Sequence, residues 1–165
     1  MSVGPDSMSV TIRQIVPADI DAVLVLMREL AEYEGLSHYF QLTREALARY
    51  CFTTPARLDI LVAVREESLV GYAAYMTQLS PWAGREYLFV DDVYVAASER
   101  GRGVGALLMK RIGEIGTDRG MDVRWHVETE NVSAQKFYRS LGSQLRSRFI
   151  AYWSQESIRS YTSGA

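Results

Sequence analysis

Apolar and polar positions alternate with a period that changes several times along the chain, and each change marks an element. Val10-Thr11-Ile12-Arg13-Gln14-Ile15-Val16 alternates as a half-buried strand does, and Pro17 ends it. Ile20, Val23, Leu24, Met27, Leu30 and Ala31 then recur on one helical face, which predicts an amphipathic helix to about Glu32. Thr43 is placed to cap a second helix from Arg44 to about Phe52, with Glu45 near the positive end of its dipole. Strands are expected over 58–64, 69–79 and 86–95. They are separated by the polar break Glu66-Glu67-Ser68 and the loop Ser80-Pro81-Trp82-Ala83-Gly84. Val104, Leu107, Leu108, Ile112 and Ile115 mark a third helix, closed by Gly120. Residues 122–127 read as a strand with Val123, Trp125 and Val127 on one face. Asn131 or Ser133 caps a last helix to Leu141, Gly142 stops it, and a strand near 148–153 ends the fold. The order is β-α-α-β-β-β-α-β-α-β, an α/β chain with one domain, 10–165, behind a disordered tail, 1–9.

Between the strand over 86–95 and the third helix lies Arg100-Gly101-Arg102-Gly103-Val104-Gly105. A glycine-rich bend that opens a helix presents unpaired backbone N–H groups and the positive end of a dipole, a receptor for phosphate. A P-loop would end in Gly-Lys-Ser/Thr, whereas Gly105 is followed by Ala106-Leu107, so that motif is excluded. A dinucleotide fingerprint fits the spacing with Ala106 as its third small residue, but it belongs to the first βα turn of a domain and this loop comes late. Arg100, Gly103 and Gly105 also fit the Arg/Gln-x-x-Gly-x-Gly/Ala loop that cradles the pyrophosphate of acetyl-CoA. The bland alternative is a tight turn carrying a solvated arginine pair.

Composition narrows the field. The chain has 165 residues, 48% of them hydrophobic and 23% charged, as in a globular domain with a real core. A net charge of -2 argues against a general nucleic-acid binder. The lone cysteine, Cys51, rules out an intramolecular disulfide, fits a reducing, cytoplasmic setting, and reads as buried filler on an apolar run. No apolar run is long enough to span a membrane and no signal segment opens the chain, so no membrane partner is expected. With two histidines and one cysteine, no metal site is expected. His126 and Glu128 read as polar positions on an alternating strand.

The element order, with the phosphate loop between the fourth strand and the third helix, resembles the GNAT superfamily of acetyl-CoA-dependent N-acetyltransferases over residues 10–153. Asn131-Val132-Ser133-Ala134-Gln135-Lys136-Phe137-Tyr138, then Leu141-Gly142, is similar to the superfamily's Asn…Phe-Tyr…Leu-Gly pattern. Glu29-Leu30-Ala31-Glu32-Tyr33-Glu34, Ser80-Pro81-Trp82-Ala83-Gly84, Tyr87-Leu88 and Asp91-Asp92-Val93-Tyr94-Val95 resemble the diamine/polyamine (spermidine/spermine, thialysine) branch. The resemblance implies a single GNAT domain, a mixed central sheet flanked by about four helices. It implies acetyl-CoA as donor with coenzyme A as product, and direct attack by a primary amine of a small cationic metabolite. A protein lysine or N-terminal acetyltransferase is the second enzyme reading, and a non-catalytic acyl-CoA-binding module the reading from another class. The family often forms homodimers through a terminal hairpin, for which 142–153 leaves little room.

An alkyl ammonium has a pKa of ~10, so only about a thousandth is nucleophilic at neutral pH, and a base is useful. Asp91 aligns with the branch's acidic residue, usually Glu; being shorter, it would act through a water. Asp92 would point to the opposite strand face unless the superfamily's bulge lets both carboxylates border the site. Tyr138, a phenol with a pKa of ~10, is the candidate acid for the leaving thiolate. By resemblance, the main chain of Val93 and Val95 would pair with the pantetheine arm as an added strand. The amides of Gly101, Arg102, Gly103, Val104, Gly105 and Ala106 would hold the pyrophosphate, with Arg100 and Arg102 adding charged contacts. Asn131 would bind the amide arm, and Ser133 joins the donor-binding set. Tyr33, Glu34, Trp82 and Asp92 would line the amine pocket. Ser80 stands where the spermidine/spermine enzymes commonly have an acid two residues before the tryptophan, which removes one anionic contact.

Overall fold

The run Ile60-Leu61-Val62-Ala63 has no polar side to show to water, and the fold covers both of its faces. In the computed structural model, which describes residues 9–164, this run is the middle of β2 (Asp59–Arg65). The expected tail, 1–9, lies outside the described residues except for Ser9. The other strands are β1 (Thr11–Gln14), β3 (Ser68–Ser80), β4 (Arg85–Val95) and β5 (Val123–Trp125), and the sheet runs in the order β1-β2-β3-β4-β5. Neighbours are antiparallel except β4 and β5, which are parallel and joined through α3 (Val104–Arg119). On one face α1 (Ile20–Tyr33) and α2 (Arg44–Cys51) pack Val23, Leu24, Met27 and Leu47 against Ile60, Val62, Tyr72, Ala74 and Tyr94. On the other, α3 packs Val104, Leu108, Ile112 and Ile115 against Leu61, Ala63, Tyr75, Leu88 and Val90. These elements fall in the compact unit Met1–His126. A second unit, Val127–Ala165, holds α4 (Val132–Ser140) and α5 (Gln155–Thr162).

Local chemistry sets the helix ends. The Thr43 hydroxyl accepts the Ala46 N–H at the start of α2, and Asn131 Oδ1 accepts the Ala134 N–H at the start of α4. Gly120, at φ 64°, ends α3. Gly116 lets that helix press onto β5: a Cβ there would meet Met121 O at 3.0 Å and Val123 Cγ2 at 3.1 Å.

At the entry to α1, Asp19 is buried and accepts the Arg13 guanidinium at 2.6 and 2.9 Å and the Val16 N–H at 2.8 Å. The Arg13 bonds hold its carboxyl below the usual range, so this contribution to stability is present above about pH 4 and is lost as pH falls through the lowered pKa. Asp19→Ala is expected to cost about 2 kcal/mol in urea unfolding at pH 7, because it strands a guanidinium and an amide together.

The strand expected near 148–153 does not form, and the segment runs irregularly. Its apolar residues Phe149, Ile150 and Tyr152 are 106%, 72% and 85% exposed, so neither a ladder nor a core holds them. Aromatic and β-branched residues favour strands only where a neighbouring strand supplies the bonds. The chain instead enters α5, where Ser154 Oγ accepts the Ser157 N–H and Trp153 packs edge-on against Tyr161. The helices therefore number five among the described residues rather than four, and the strands five rather than six.

Candidate active site

β4 carries one residue more than its partner. Ala74 pairs with Asp92 and Tyr75 with Val90, so Asp91 has no partner on β3. The bulge reverses the alternation: Leu88 and Val90 face α3, whereas Tyr94 belongs to the core under α1. Asp92 follows Tyr94 onto the α1 face, and Asp91 is left exposed at the kink. The buried Tyr72 donates its hydroxyl proton to Asp92 Oδ2 at 3.4 Å. Burial, with the charges of Asp91 and Glu34 close by, pushes the Asp92 carboxyl up to about 6. The two carboxylates predicted to border the site are thus brought together with Glu34, but Asp92 is the one poised near neutrality.

The same strand offers free backbone. Pairing with β5 ends at Val90↔Trp125. The Ala96 N–H bonds the Val70 carbonyl at 2.9 Å, which makes Gly71↔Val95 a pair that exchanges no bonds, and Ala73↔Val93 another by the period of two. The N–H and C=O of Val93 and Val95 therefore point away from β3, toward the edge that β5 leaves uncovered.

At the loop, Gly101 and Gly103 take φ of 74° and 81°, which other residues adopt only at a cost, and a Cβ on either would meet nothing within 4 Å. Gly103 caps α3 with no side chain, and the first bond within the helix is from the Leu107 N–H to the Gly103 carbonyl. The amides of Val104, Gly105 and Ala106 are the orphan donors of a sixteen-residue helix and fit a pyrophosphate. Neither arginine of the loop reaches over it. Arg102 pairs with Glu99, which Arg65 also engages at 3.1 Å, tying the loop to the end of β2. Arg100 lies over the rings of Tyr33 and Tyr94.

Trp82 sits at the tip of the β3–β4 turn, fully exposed. Asp92 lies seven residues into β4 from Arg85, about 23 Å along an unbent strand. In the second unit, α4 carries Asn131, Ser133 and Tyr138. Asn131 Oδ1 is taken by the cap, which leaves its amide NH2 as the group for a ligand. Cys51 is half-buried, and burial and Asp59 push its thiol up to about 11, so at neutral pH it is no nucleophile. Sequence reasoning missed Tyr72, which faces Asp92, and Glu99, which anchors the loop. No signal in the sequence alone points to the first, since Tyr72 meets Asp92 only through the pairing of β3 with β4.

The family model described as the acetyltransferase (GNAT) family matches residues 23–142, most of the chain and parts of both units. The chain belongs to the GNAT acetyltransferase family. Thialysine N-epsilon-acetyltransferase of Bos taurus is 36% identical to this GNAT protein over 144 residues, covering 82% of this chain and 84% of that one. The Mus musculus enzyme of the same name is 32% identical over 145 residues, covering 82% and 85%. Among solved structures, an aminoglycoside N-acetyltransferase in complex with CoA superposes with a TM-score of 0.73 at 20% identity, covering 93% of this chain and 99% of that one. This GNAT chain is an N-acetyltransferase that takes its acetyl group from acetyl-CoA. None of its described helices is long and apolar enough to cross a membrane.

Proposed function

We propose that the chain acetylates a primary amine of a small cationic metabolite, a diamine, polyamine or lysine analogue, by direct attack. The observation that carries the reading is the half-buried Asp92, poised near pH 6 beside Asp91 and Glu34 at the end of α1. Three carboxylates and the Tyr33 ring suit an ammonium group. Asp92 takes over the role of base expected of Asp91, since a base works best with a pKa near the working pH. Asp91, exposed at the bulge, draws in the cation and passes protons to solvent.

Acetyl-CoA supplies the thioester. Val93 and Val95 hold its arm through main-chain bonds, Val104, Gly105 and Ala106 hold its pyrophosphate, and the amide NH2 of Asn131 contributes a donor. Tyr138 keeps a phenolic proton for the departing thiolate, and Asp92 removes one from the ammonium, directly or through a water. The chain works as a cytoplasmic homodimer in this reading, supported by its lone thiol and by the exposed Phe149, Ile150 and Tyr152.

Free-thiol release from acetyl-CoA, measured with spermidine, putrescine, thialysine, lysine, an aminoglycoside and a lysine-containing peptide, tests the acceptor. Release with a small diamine, polyamine or thialysine is expected. Release with the peptide alone would transfer the reading to a protein acetyltransferase. Acetyl-CoA binding without release with any amine would leave an acyl-CoA-binding module.

A further inference from the structure

Arg100 connects the two halves of the candidate site. Its Nε–H donates to the Val95 carbonyl at 3.0 Å, the outward acceptor on the uncovered edge of β4. Its guanidinium lies 4.9 Å from the Tyr33 ring centroid and 5.4 Å from that of Tyr94. Those rings, with Glu29, Glu32 and Ser98, line an open depression of about 540 Å³ at the end of α1. The Tyr94 hydroxyl donates to Glu29 at 3.1 Å, which fixes the ring that Arg100 covers. Arg100 thus lines this aromatic and acidic depression, with its guanidinium against both rings, while holding a carbonyl that an added strand would need.

Resting on the function proposed above, we propose that Arg100 is a positioning residue that stands in for the acceptor's cation until the donor draws it away. Two features of the site force the exchange. An amide arm laid along β4 competes with the Arg100 Nε–H for the Val95 carbonyl. A pyrophosphate at the amides of Val104 to Ala106 offers the displaced guanidinium a charge-assisted partner one loop away. Withdrawal frees the faces of Tyr33 and Tyr94, and the acceptor's ammonium takes the place of the guanidinium. Donor and acceptor then bind with positive coupling, carried by one side chain that has two positions.

The test has two arms, neither of which needs turnover. In the full-length 15N-labelled protein, the Arg100 Nε–H resonance is identified by its absence in Arg100→Lys, and CoA is titrated in. The expected result is a shift of that resonance with faster solvent exchange, which inorganic phosphate alone does not reproduce. Calorimetry then measures spermidine and thialysine binding with and without saturating CoA. The wild type is expected to bind the amine about tenfold tighter with CoA. Arg100→Met is expected to bind it equally with and without CoA. An Nε–H resonance unmoved at saturating CoA overturns the proposal, and so does wild-type amine affinity that CoA leaves unchanged, both with the acceptor reading intact. A resonance that moves while neither amine binds under any condition overturns the acceptor reading, and the competition with it.

Discussion

Replacing Asp92 with Asn is expected to lower kcat by about a hundredfold or more, the contribution of a positioned general base. The pH profile identifies the cause. With Asp92 at about 6 in the free enzyme, the base is protonated and idle in acid, so wild-type kcat/KM rises with pH through about 6. Asp92→Asn should be slow at every pH and show no such limb. Asp91→Asn, which removes one neighbouring negative charge, should retain the limb and move it to lower pH.

The same substitution should make the fold more stable. The folded protein resists ionising Asp92, so its pKa is raised above the ordinary Asp value of ~3.9. The stability it contributes is complete below that ordinary value and is lost as pH rises through about 6. At pH 7 the ionised, half-buried carboxylate is therefore a cost, and Asp92→Asn should gain about 2 kcal/mol. Melts at pH 4 and pH 7 check the sign: the variant's advantage appears at pH 7 and vanishes at pH 4. A residue that weakens the fold and speeds the reaction is held for function.

Tyr138→Phe is expected to lower kcat about a hundredfold with KM nearly unchanged, since the phenol acts as the thiolate leaves. An acetyl donor with a more acidic thiol, which needs no proton to depart, should recover most of the loss. The end of α4 should be kept. The bonds closing α4 come from the Leu141 N–H and the Ser143 hydroxyl to the main-chain carbonyl of Tyr138, which Phe retains. Equal loss with both donors would remove Tyr138 from the role of acid.

Elements governed by neighbouring residues were legible in the sequence. Thr43, Gly120 and Asn131 cap where predicted because capping involves residues a few positions apart. α1 ends at Tyr33, one residue beyond the expected Glu32. The bulge in β4 was expected only from the family resemblance, because a strand read by its own alternation puts Val90 and Asp92 on one face. Only pairing with β3 shows which residue goes unmatched. The sequence pointed to Asp91 as base through its alignment with the branch's acidic residue, and the function proposed above moves that role to Asp92. Arg100 could be found by its motif, but the place of its guanidinium depends on Tyr33, far away in the chain. The segment 148–153 shows the converse failure, strand-forming residues without a partner strand, while Ser154 ahead of Gln155-Glu156 was a readable start for α5.

The unmatched residue of β4 is a spare in the count: the strand can lose it and keep its register. Deleting Asp91 would leave Val90 opposite Tyr75 and Asp92 opposite Ala74, so Val90 stays under α3 and Tyr94 under α1, and only the kink disappears. A gap at this one position should therefore spare the fold while removing the carboxylate beside Asp92. Libraries meant to retune the acceptor can vary length here as well as letters.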